Sequence, residues 1–203
     1  MGKHVEYRPE WVREDFIDFL AEKVNPLWAW KKAKARIVAK HHLSDDFVHM
    51  QLQPNHHFKA TDYQAGQSIL VTVLIAGVRW QRSYSIVEIL ENGNLVIAVK
   101  QQGKVSNALT QQPVKSVVEI SQTQGEFVLK TQPHSALMIA SGSGITAIYA
   151  LIKAALKRPQ TVSNIDLIYF TRDDAFHAEL QQLTEHYPQF KYHHFNTLTH
   201  KQH

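Results

Sequence analysis

The sequence predicts a β plus α/β protein, in which a six-stranded antiparallel barrel is followed by a partial parallel sheet with helices. Three observations support this fold class. Short segments rich in Val and Ile alternate with turn residues between about positions 35 and 123. From about position 133, buried strand patterns alternate with helical ones. A Gly-Ser-Gly turn at 142–144 joins the first of those strands to its helix.

The barrel prediction depends on the number of strands and on the short connections between them. Turn residues such as Pro54-Asn55, Ala76-Gly77 and Asn92-Gly93-Asn94 separate the strand segments. Six strands joined mostly by short turns are typical of a closed or nearly closed barrel. The predicted strands are Arg36–His41, Phe47–Gln53, Ser68–Ile75, Val78–Ile86, Leu95–Gln101 and Ser116–Gln122.

The second region has the alternation of a parallel α/β sheet. Ala136–Ala140 has the unbroken apolar pattern of a buried parallel strand, and an amphipathic helix follows the glycine turn. Ligands of such sheets bind beyond the carboxyl ends of the strands, so we expect a nucleotide-binding domain here. The remaining predicted elements are a helix at Ile145–Lys157, a strand at Ile165–Phe170, a helix at Asp174–His186 and a strand at Lys191–Asn196.

Composition restricts the kinds of chemistry that the chain can perform. The sequence contains no cysteine, which excludes disulfides, thiolate catalysis and cysteine-ligated metal clusters within it. The formal charge of +4 is small and scattered, so we expect no nucleic-acid binding. The uncharged stretch 136–152 is short for a membrane span and is broken by its glycine turn. The start of the chain lacks a secretory signal, and we expect a cytoplasmic protein.

An amphipathic helix is predicted before the barrel. Pro9 suits its first turn, and the helix should end near Asn25-Pro26. Packing on the following domain is the simpler interpretation of its apolar stripe. Together with the aromatic and basic segment 27–32, the helix could instead contact a membrane surface or a partner weakly. The apolar stripe consists of Val12, Phe16, Phe19, Leu20 and Val24.

The tetrapeptide Arg82–Ser85 is the main candidate for a binding site. Strand alternation places Arg82 and Tyr84 on one face, so a fixed cation lies beside a flat aromatic ring and small hydroxyls. This combination suits a cofactor that carries both phosphate and an aromatic ring. A solvated strand face is the alternative interpretation.

A second candidate lies between the fifth strand and a short helix, at Gly103–Leu109. Glycine permits close approach of a ligand to the backbone, Ser106 could cap the helix, and the free amides of the helix start attract anions. We interpret this turn as a pyrophosphate site facing Arg82. A simple capped connector is the alternative. Further along, Thr171-Arg172 ends a parallel strand, where a basic residue can pair with a ribose 2′-phosphate.

The ordered set of motifs resembles the ferredoxin–NADP reductase superfamily. The set comprises the barrel, R-x-Y-S at Arg82–Ser85, G-x-V-S at Gly103–Ser106, Gln124–Phe127 and G-x-G-I-T at Gly142–Thr146. The N-terminal region is also similar to that of bacterial oxidoreductases that supply electrons to fatty-acid desaturases and related oxygenases. The resemblance divides the chain into an N-terminal helix and linker (1–33), a flavin-binding barrel (34–131) and an incomplete NADP-binding domain (132–203).

The resemblance implies a role for each motif residue. Arg82 would bind the flavin pyrophosphate, Tyr84 would lie against the isoalloxazine ring, and Ser85 would hydrogen-bond near its N5, which makes Tyr84 and Ser85 the candidate catalytic residues. Gly103, Val105 and Ser106 would complete the phosphate site. The nicotinamide nucleotide would be bound by Gly142, Ser143, Gly144 and Thr146, and its 2′-phosphate by Thr171 and Arg172.

The implied reaction is hydride transfer from NADPH to a flavin, followed by electron delivery to a redox protein, either an iron–sulfur domain or a membrane desaturase system. R-x-Y-S accommodates FAD or FMN; we choose FAD because the helix start at Ser106 could hold a second phosphate. The family continues to a strand ending in Cys-Gly-Pro, and Ala147 replaces its usual proline. We therefore expect a shortened form in which flavin binding survives and NADPH-driven turnover is weak or absent.

Other chemistries receive less support from the sequence. The thirteen histidines include adjacent pairs, but neighbours on a strand point to opposite faces, so we expect no specific metal site. Two further hypotheses remain beside the reductase. One is a non-catalytic flavin- or nucleotide-binding module, and the other is a docking protein that keeps the barrel as a scaffold.

Overall fold

The protein is described by a computed structural model over residues 23–28, 32–129, 134–157 and 163–197. Most of the predicted N-terminal helix, and Trp30, lie outside these residues. Lys23 and Val24 are helical, and the chain turns at Pro26-Leu27 before the barrel begins. This turn is tied to the barrel, because the Asn55 amide donates a hydrogen bond of 3.2 Å to the Leu27 carbonyl.

The barrel is closed, as predicted. Its six antiparallel strands follow the order β1-β2-β5-β4-β3-β6, and β6 pairs with β1 to complete the ring. The strands are β1 (Lys34–His42), β2 (Phe47–Pro54), β3 (Ser68–Ile75), β4 (Val78–Ile89), β5 (Leu95–Lys100) and β6 (Val117–Ile120).

Strand alternation explains why the barrel closes around an apolar interior. In β2, β3 and β5 alternate residues are buried while their neighbours face outward or against other elements. Because β-branched and aliphatic side chains pack well on a pleated surface, the inward set forms one continuous core. That core includes Ile37, Met50, Leu52, Ile69, Val71, Ile86, Leu95, Ile97 and Val99.

The second region is the predicted parallel sheet, with strand order β7-β8-β9. A helix α1 (Lys104–Gln111) belongs to the barrel and lies between β5 and β6. The sheet elements then alternate along the chain, as expected for right-handed crossovers. They are β7 (Ser135–Ser141), α2 (Ile145–Leu156), β8 (Asn164–Thr171), α3 (His177–His186) and β9 (Phe190–Asn196).

Helix α3 starts three residues later than the sequence predicts. The Asp173 carboxylate accepts a hydrogen bond of 3.0 Å from the Ala175 amide, which holds the chain in a turn. Phe176 then adopts a left-handed backbone with φ of 66° and is fully buried. Its ring lies between Phe47 of the barrel and Tyr149 of α2, at centroid distances of 6.1 and 5.1 Å. Packing between the barrel and α2 therefore accounts for the backbone strain at this position.

Both helices cover the same face of the three-stranded sheet. One hydrophobic cluster joins α2 and α3 to the inward residues of the strands and to barrel residues Phe47 and Val87. Helix α2 also contacts the barrel through an ion pair between Lys153 and Glu88. The opposite face of the sheet carries exposed apolar side chains, namely Leu137, Ile139, Phe170 and Phe195.

Candidate cofactor-binding site

A cavity of about 470 Å³ lies where the barrel meets the start of α2. Its volume is in the range of small-molecule and cofactor sites. Three separate parts of the sequence line it: β4, the end of β5 with the start of α1, and the glycine turn before α2. The lining residues are Trp80, Arg82, Ser83, Tyr84, Ser85, Ala98, Lys100, Gln102, Gly103, Lys104, Val105, Ser106, Ser143, Gly144 and Thr146.

Strand β4 presents a cation and two aromatic rings to this cavity. Trp80, Arg82 and Tyr84 alternate along β4, which puts them on one face. The Arg82 guanidinium is exposed and donates a hydrogen bond of 2.8 Å to the Gln81 carbonyl. This contact uses one of the five guanidinium donors of Arg82, and the others are able to bind an anion.

Two buried polar atoms of this strand have no hydrogen-bond partner among the described residues. They are the Tyr84 hydroxyl and the Trp80 indole nitrogen, and both side chains line the cavity. Burial raises the pKa of Tyr84 to about 12, so its hydroxyl stays protonated. Since buried polar groups are normally paired, these two atoms point to a ligand that supplies the missing partners.

The start of α1 forms an anion site. Gly103 is the N-cap residue in extended backbone, and the next three amides have no acceptor within the helix. The Ser106 hydroxyl accepts from the Gly103 amide at 3.1 Å and donates to the Gly103 carbonyl at 3.0 Å. Ser106 is thus inside the first turn and closes it from there, whereas the sequence suggested Ser106 as the cap itself.

Glycine at positions 103 and 144 has no explanation in the protein's own packing. A Cβ built on Gly103 would approach only the Ser106 hydroxyl, at 4.0 Å, and one on Gly144 would meet nothing within 4 Å. Neither backbone is left-handed. Both residues line the cavity, so the space that a side chain would fill is space open to a ligand.

The glycine turn after β7 lies on the other wall of the cavity. Gly142 has φ of 51°, a conformation that favours glycine, and its carbonyl accepts a hydrogen bond of 3.4 Å from Tyr169. The Thr146 hydroxyl donates to the Ser143 carbonyl at 2.9 Å and fixes the first turn of α2. Ser143, Gly144 and Thr146 line the cavity, while Gly142 shapes the turn from outside it.

The end of β8 is separate from this cavity. Thr171 is buried, and its hydroxyl accepts a hydrogen bond of 3.2 Å from the Asp173 amide, so it serves the local turn. Arg172 is exposed beside it. Neither residue is in the cavity lining, and the structure therefore gives them a different position from the β4 and α1 motifs.

Lys100 is a cavity residue that the sequence analysis missed. It ends β5, and its ammonium group lies 2.8 Å from Asp173 and 3.4 Å from Asp46. Burial alone would lower the Lys100 pKa, but these two carboxylates outweigh burial and raise it. The Lys100 ammonium group is therefore held in its charged form in the cavity wall, with its charge balanced by the two carboxylates.

Strand period and helix electrostatics could have revealed Lys100 and three other missed residues, Trp80, Ala98 and Lys104. Ala98 and Lys100 alternate on β5 toward the same wall, just as Trp80 precedes Arg82 on β4. Lys104 occupies the first position of α1, where a cation is unfavourable because of the helix dipole. Its ammonium group lies 4.7 Å from the centroid of the Trp80 ring.

Two other properties of the described residues bear on the class of protein. Within residues 23–28, 32–129, 134–157 and 163–197, His, Asp and Glu do not form a group of three or more that could hold a metal ion. No helix in that part of the chain has the length and apolar character needed to cross a membrane.

Comparison with known proteins agrees with this geometry. The model of the oxidoreductase FAD-binding domain matches residues 34–129, and that of the oxidoreductase NAD-binding domain matches residues 138–203. The chain is 30% identical over 179 residues to an NADPH oxidoreductase of Mycobacterium tuberculosis, covering 82% of this chain and 46% of that protein. It is 28% identical over 177 residues to a flavohemoprotein of a Burkholderia species, covering 84% and 44%. The chain thus spans less than half the length of these two relatives.

A solved structure gives the same fold. The cytochrome b5 reductase domain of Ulva prolifera nitrate reductase superimposes with a TM-score of 0.71 at 23% identity, covering 81% of this chain and 72% of that one. The barrel, the parallel sheet and the two matched domain models lead to one assignment. The chain belongs to the ferredoxin–NADP reductase superfamily, with an FAD-binding domain followed by an NAD-binding domain.

Proposed function

We propose that the chain is a flavin-dependent oxidoreductase that binds FAD in the cavity at β4 and passes electrons from NADPH to a protein acceptor. One observation carries the proposal: an exposed guanidinium, an aromatic ring with an unpaired hydroxyl, and the first amides of a helix meet at a single cavity. FAD, when bound, supplies the conversion of a two-electron hydride into single electrons. The chain's own residues bind, orient and polarise it.

The phosphate part of the site would be formed by Arg82 and the start of α1. Arg82 offers planar paired donors, which match phosphate oxygens well. The amides of Lys104, Val105 and Ser106 add partial positive charge at the helix start. Gly103 lets a phosphate approach the backbone, because a side chain there would occupy the cavity.

The ring part of the site would be formed by Tyr84 and Ser85. Tyr84 provides an aromatic surface for stacking, and its protonated hydroxyl is available as a donor. Ser85 adds a small hydroxyl at the same wall. Lys100, held in place by Asp173 and Asp46, would offer its third N–H donor to the ring system from the cavity wall. The same site accommodates FMN, but the free amides of α1 favour FAD because they can bind a second phosphate.

The nicotinamide nucleotide would bind on the opposite wall. Ser143, Gly144 and Thr146 face the cavity from the start of α2, next to the proposed ring position, and Gly142 shapes their turn. Arg172 would pair with the 2′-phosphate of NADPH from the end of β8, with Thr171 fixing the turn beneath it. The choice of NADPH over NADH depends on this arginine.

The acceptor is proposed as another redox protein, either an iron–sulfur domain or a membrane desaturase or oxygenase system. Relatives of the chain are called flavohemoprotein and NADPH oxidoreductase, and the matched structure is a domain of a nitrate reductase. The first name joins a flavin to haem, and the matched structure is a reductase domain within a larger enzyme. Reduction of candidate acceptors by the FAD-loaded chain, followed optically, would identify which class it serves.

A non-catalytic flavin- or nucleotide-binding module is the second candidate. The anion-binding groups of the cavity, Arg82 and the start of α1, would account for flavin binding without catalysis as well. In that case the cavity would bind FAD without accepting hydride.

Anaerobic mixing of the FAD-loaded chain with NADPH or NADH separates the two candidates. Loss of the oxidised flavin absorption band with either nucleotide supports the reductase, and faster loss with NADPH supports the role of Arg172. A flavin band that persists with both nucleotides supports the module. A chain that binds no FAD would contradict both candidates.

A further inference from the structure

Trp80 lines the cavity but has no part in the ring and phosphate sites described above. It lies on β4, on the same face as Arg82 and Tyr84, and its ring packs only partly against the barrel core. Its indole nitrogen is buried and has no hydrogen-bond partner among the described residues. A large aromatic surface with an unpaired donor therefore stands in the cavity wall without a use inside the protein.

Strand β4 presents three groups to the cavity in a fixed order. Tyr84 is the proposed site of the flavin ring, Arg82 is the proposed site of the phosphates, and Trp80 comes next. Neighbouring members of this series are two residues apart, or about 7 Å along the strand. FAD contains, in sequence, an isoalloxazine ring, a pyrophosphate and an adenosine group. The order of groups along β4 therefore matches the order along FAD, with Trp80 at the adenosine end.

Lys104 connects the Trp80 ring to the anion site. Its backbone belongs to the first turn of α1, its side chain is exposed, and its ammonium group lies 4.7 Å from the centroid of the Trp80 ring. Nucleobases stack on aromatic side chains, and the phosphates that they carry are attracted to nearby cations. An aromatic surface with a cation beside it therefore suits an adenosine phosphate.

We propose that the adenine of FAD stacks on Trp80, which makes Trp80 the residue that selects FAD over FMN. The proposal rests on the proposed function, because it takes the flavin ring at Tyr84 and the phosphates at Arg82. FMN ends at its single phosphate, so in the same placement it has no group that reaches Trp80. Lys104 pairs with the phosphate next to the adenosine group when FAD is bound.

Titration of the same variants with FAD and with FMN tests the proposal. Trp80→Leu removes the aromatic surface, and we expect its affinity for FAD to fall about tenfold, which is the loss of one base–aromatic stack. Its affinity for FMN should not change, and this result also shows that the variant is folded. Trp80→Phe keeps an aromatic face and should recover most of the affinity for FAD.

Trp28→Leu is the matched control for the tryptophan substitution. Trp28 is 55% exposed and lies outside the cavity lining, so this variant should bind both flavins as the natural sequence does. Equal loss of FAD and FMN affinity in Trp80→Leu, or no loss of either, would overturn the role of Trp80 as a specificity residue. A natural chain that binds neither flavin would instead contradict the proposed function itself.

ADP and pyrophosphate test the adenine contact in the natural chain, with no flavin ring present. ADP carries an adenosine group beside its two phosphates, whereas pyrophosphate carries the phosphates alone. In NMR spectra of the chain labelled at tryptophan, the ring current of adenine should shift the indole signals of Trp80, which the spectrum of Trp80→Phe identifies. Pyrophosphate should shift them much less. Equal shifts with both compounds, or no shift with ADP at saturation, would contradict adenine stacking on Trp80.

Discussion

The Lys100 ammonium group lies 2.8 Å from the Asp173 carboxylate, so the end of barrel strand β5 is bonded to the turn after β8. Both side chains are largely buried, with 16% and 17% of their surface exposed. The contact joins the two halves of the fold beside the proposed FAD site. The contact also keeps Lys100, which lines the cavity, protonated.

Asp173→Asn should therefore lower the free energy of unfolding by about 1.5 to 3 kcal/mol, the range of a hydrogen bond to a charged group. The raised Lys100 pKa means that this stabilisation is fully present below its ordinary value of 10.5 and is lost as pH rises through the raised value. Denaturant unfolding at neutral and alkaline pH measures both effects. An unchanged neutral-pH stability in Asp173→Asn would show that the pair does not join the two halves.

Gly103→Ala should weaken FAD binding while leaving the fold almost intact. The Gly103 backbone is extended, with φ of −172°. The added methyl group would project into the cavity, 4.0 Å from Ser106. We expect a change in unfolding free energy within about 1 kcal/mol, the usual cost of losing a glycine N-cap. Isothermal titration with FAD, with Asn107→Ala on the exposed side of α1 as control, checks this. Equal FAD affinity in Gly103→Ala and the natural chain would place the phosphates elsewhere.

Arg172→Ala should raise the KM for NADPH about tenfold, which corresponds to the loss of about 1.4 kcal/mol of charge-assisted binding. The KM for NADH should change little, because NADH has no 2′-phosphate. Steady-state assays with an artificial acceptor measure both values. An equal rise in the KM for NADPH and for NADH would mean that Arg172 does not bind the 2′-phosphate.

His49 should make the fold sensitive to acid. Burial lowers its pKa to about 4, aided by repulsion from His41 and Lys153, while Glu88 opposes the shift. Its ring lies 5.4 Å from that of Phe176, at the contact between the barrel and the second region. Between pH 6.5 and 4 the unfolded chain takes up a proton that folded His49 does not, so the unfolding free energy falls by about 3 kcal/mol. Below pH 4 His49 is protonated in both the folded and the unfolded chain, so it lowers the unfolding free energy no further.

His49→Phe should remove that loss, because phenylalanine does not titrate and can pack against Phe176. The exposed His42→Phe serves as control. Urea unfolding of the three proteins at pH 7, 5 and 4 provides the comparison, in which only His49→Phe should show a shallower pH dependence. The same slope in His49→Phe and the natural chain would contradict the buried neutral histidine.

Most of the fold could be predicted from local patterns. Period-two alternation and turn residues placed all six barrel strands, and the predicted helix Ile145–Lys157 agrees with α2 to within one residue. The start of α3 could not be predicted, because it depends on Phe176 packing against the barrel, and sequence periodicity carries no information about that contact. The uncovered face of the sheet follows from the β7-β8-β9 order, which local patterns do not specify.

Short motifs predicted many of the residues that line the cavity, and the lining residues that depend on tertiary contacts were missed. The motifs at Arg82–Ser85 and Gly103–Ser106 meet at one cavity, as expected from their order in the chain. Lys100 resembles any lysine at the end of a strand until Asp173, far along the sequence, is brought next to it. The position of Arg172 outside the cavity likewise depends on how the sheet docks on the barrel.

The most direct test is a titration of the purified chain with FAD, followed by quenching of flavin fluorescence, for the natural sequence and for Arg82→Ala. We predict saturable binding of one FAD per chain. Arg82→Ala should bind more weakly by about 2 to 3 kcal/mol, or roughly 30- to 150-fold, which is the strength of a charge-assisted phosphate contact. Arg79→Ala, which changes an exposed arginine of the same strand that is paired with Glu119, should bind FAD normally. No saturable binding, or equal affinity in the Arg82 variant and the natural chain, would contradict the proposed site.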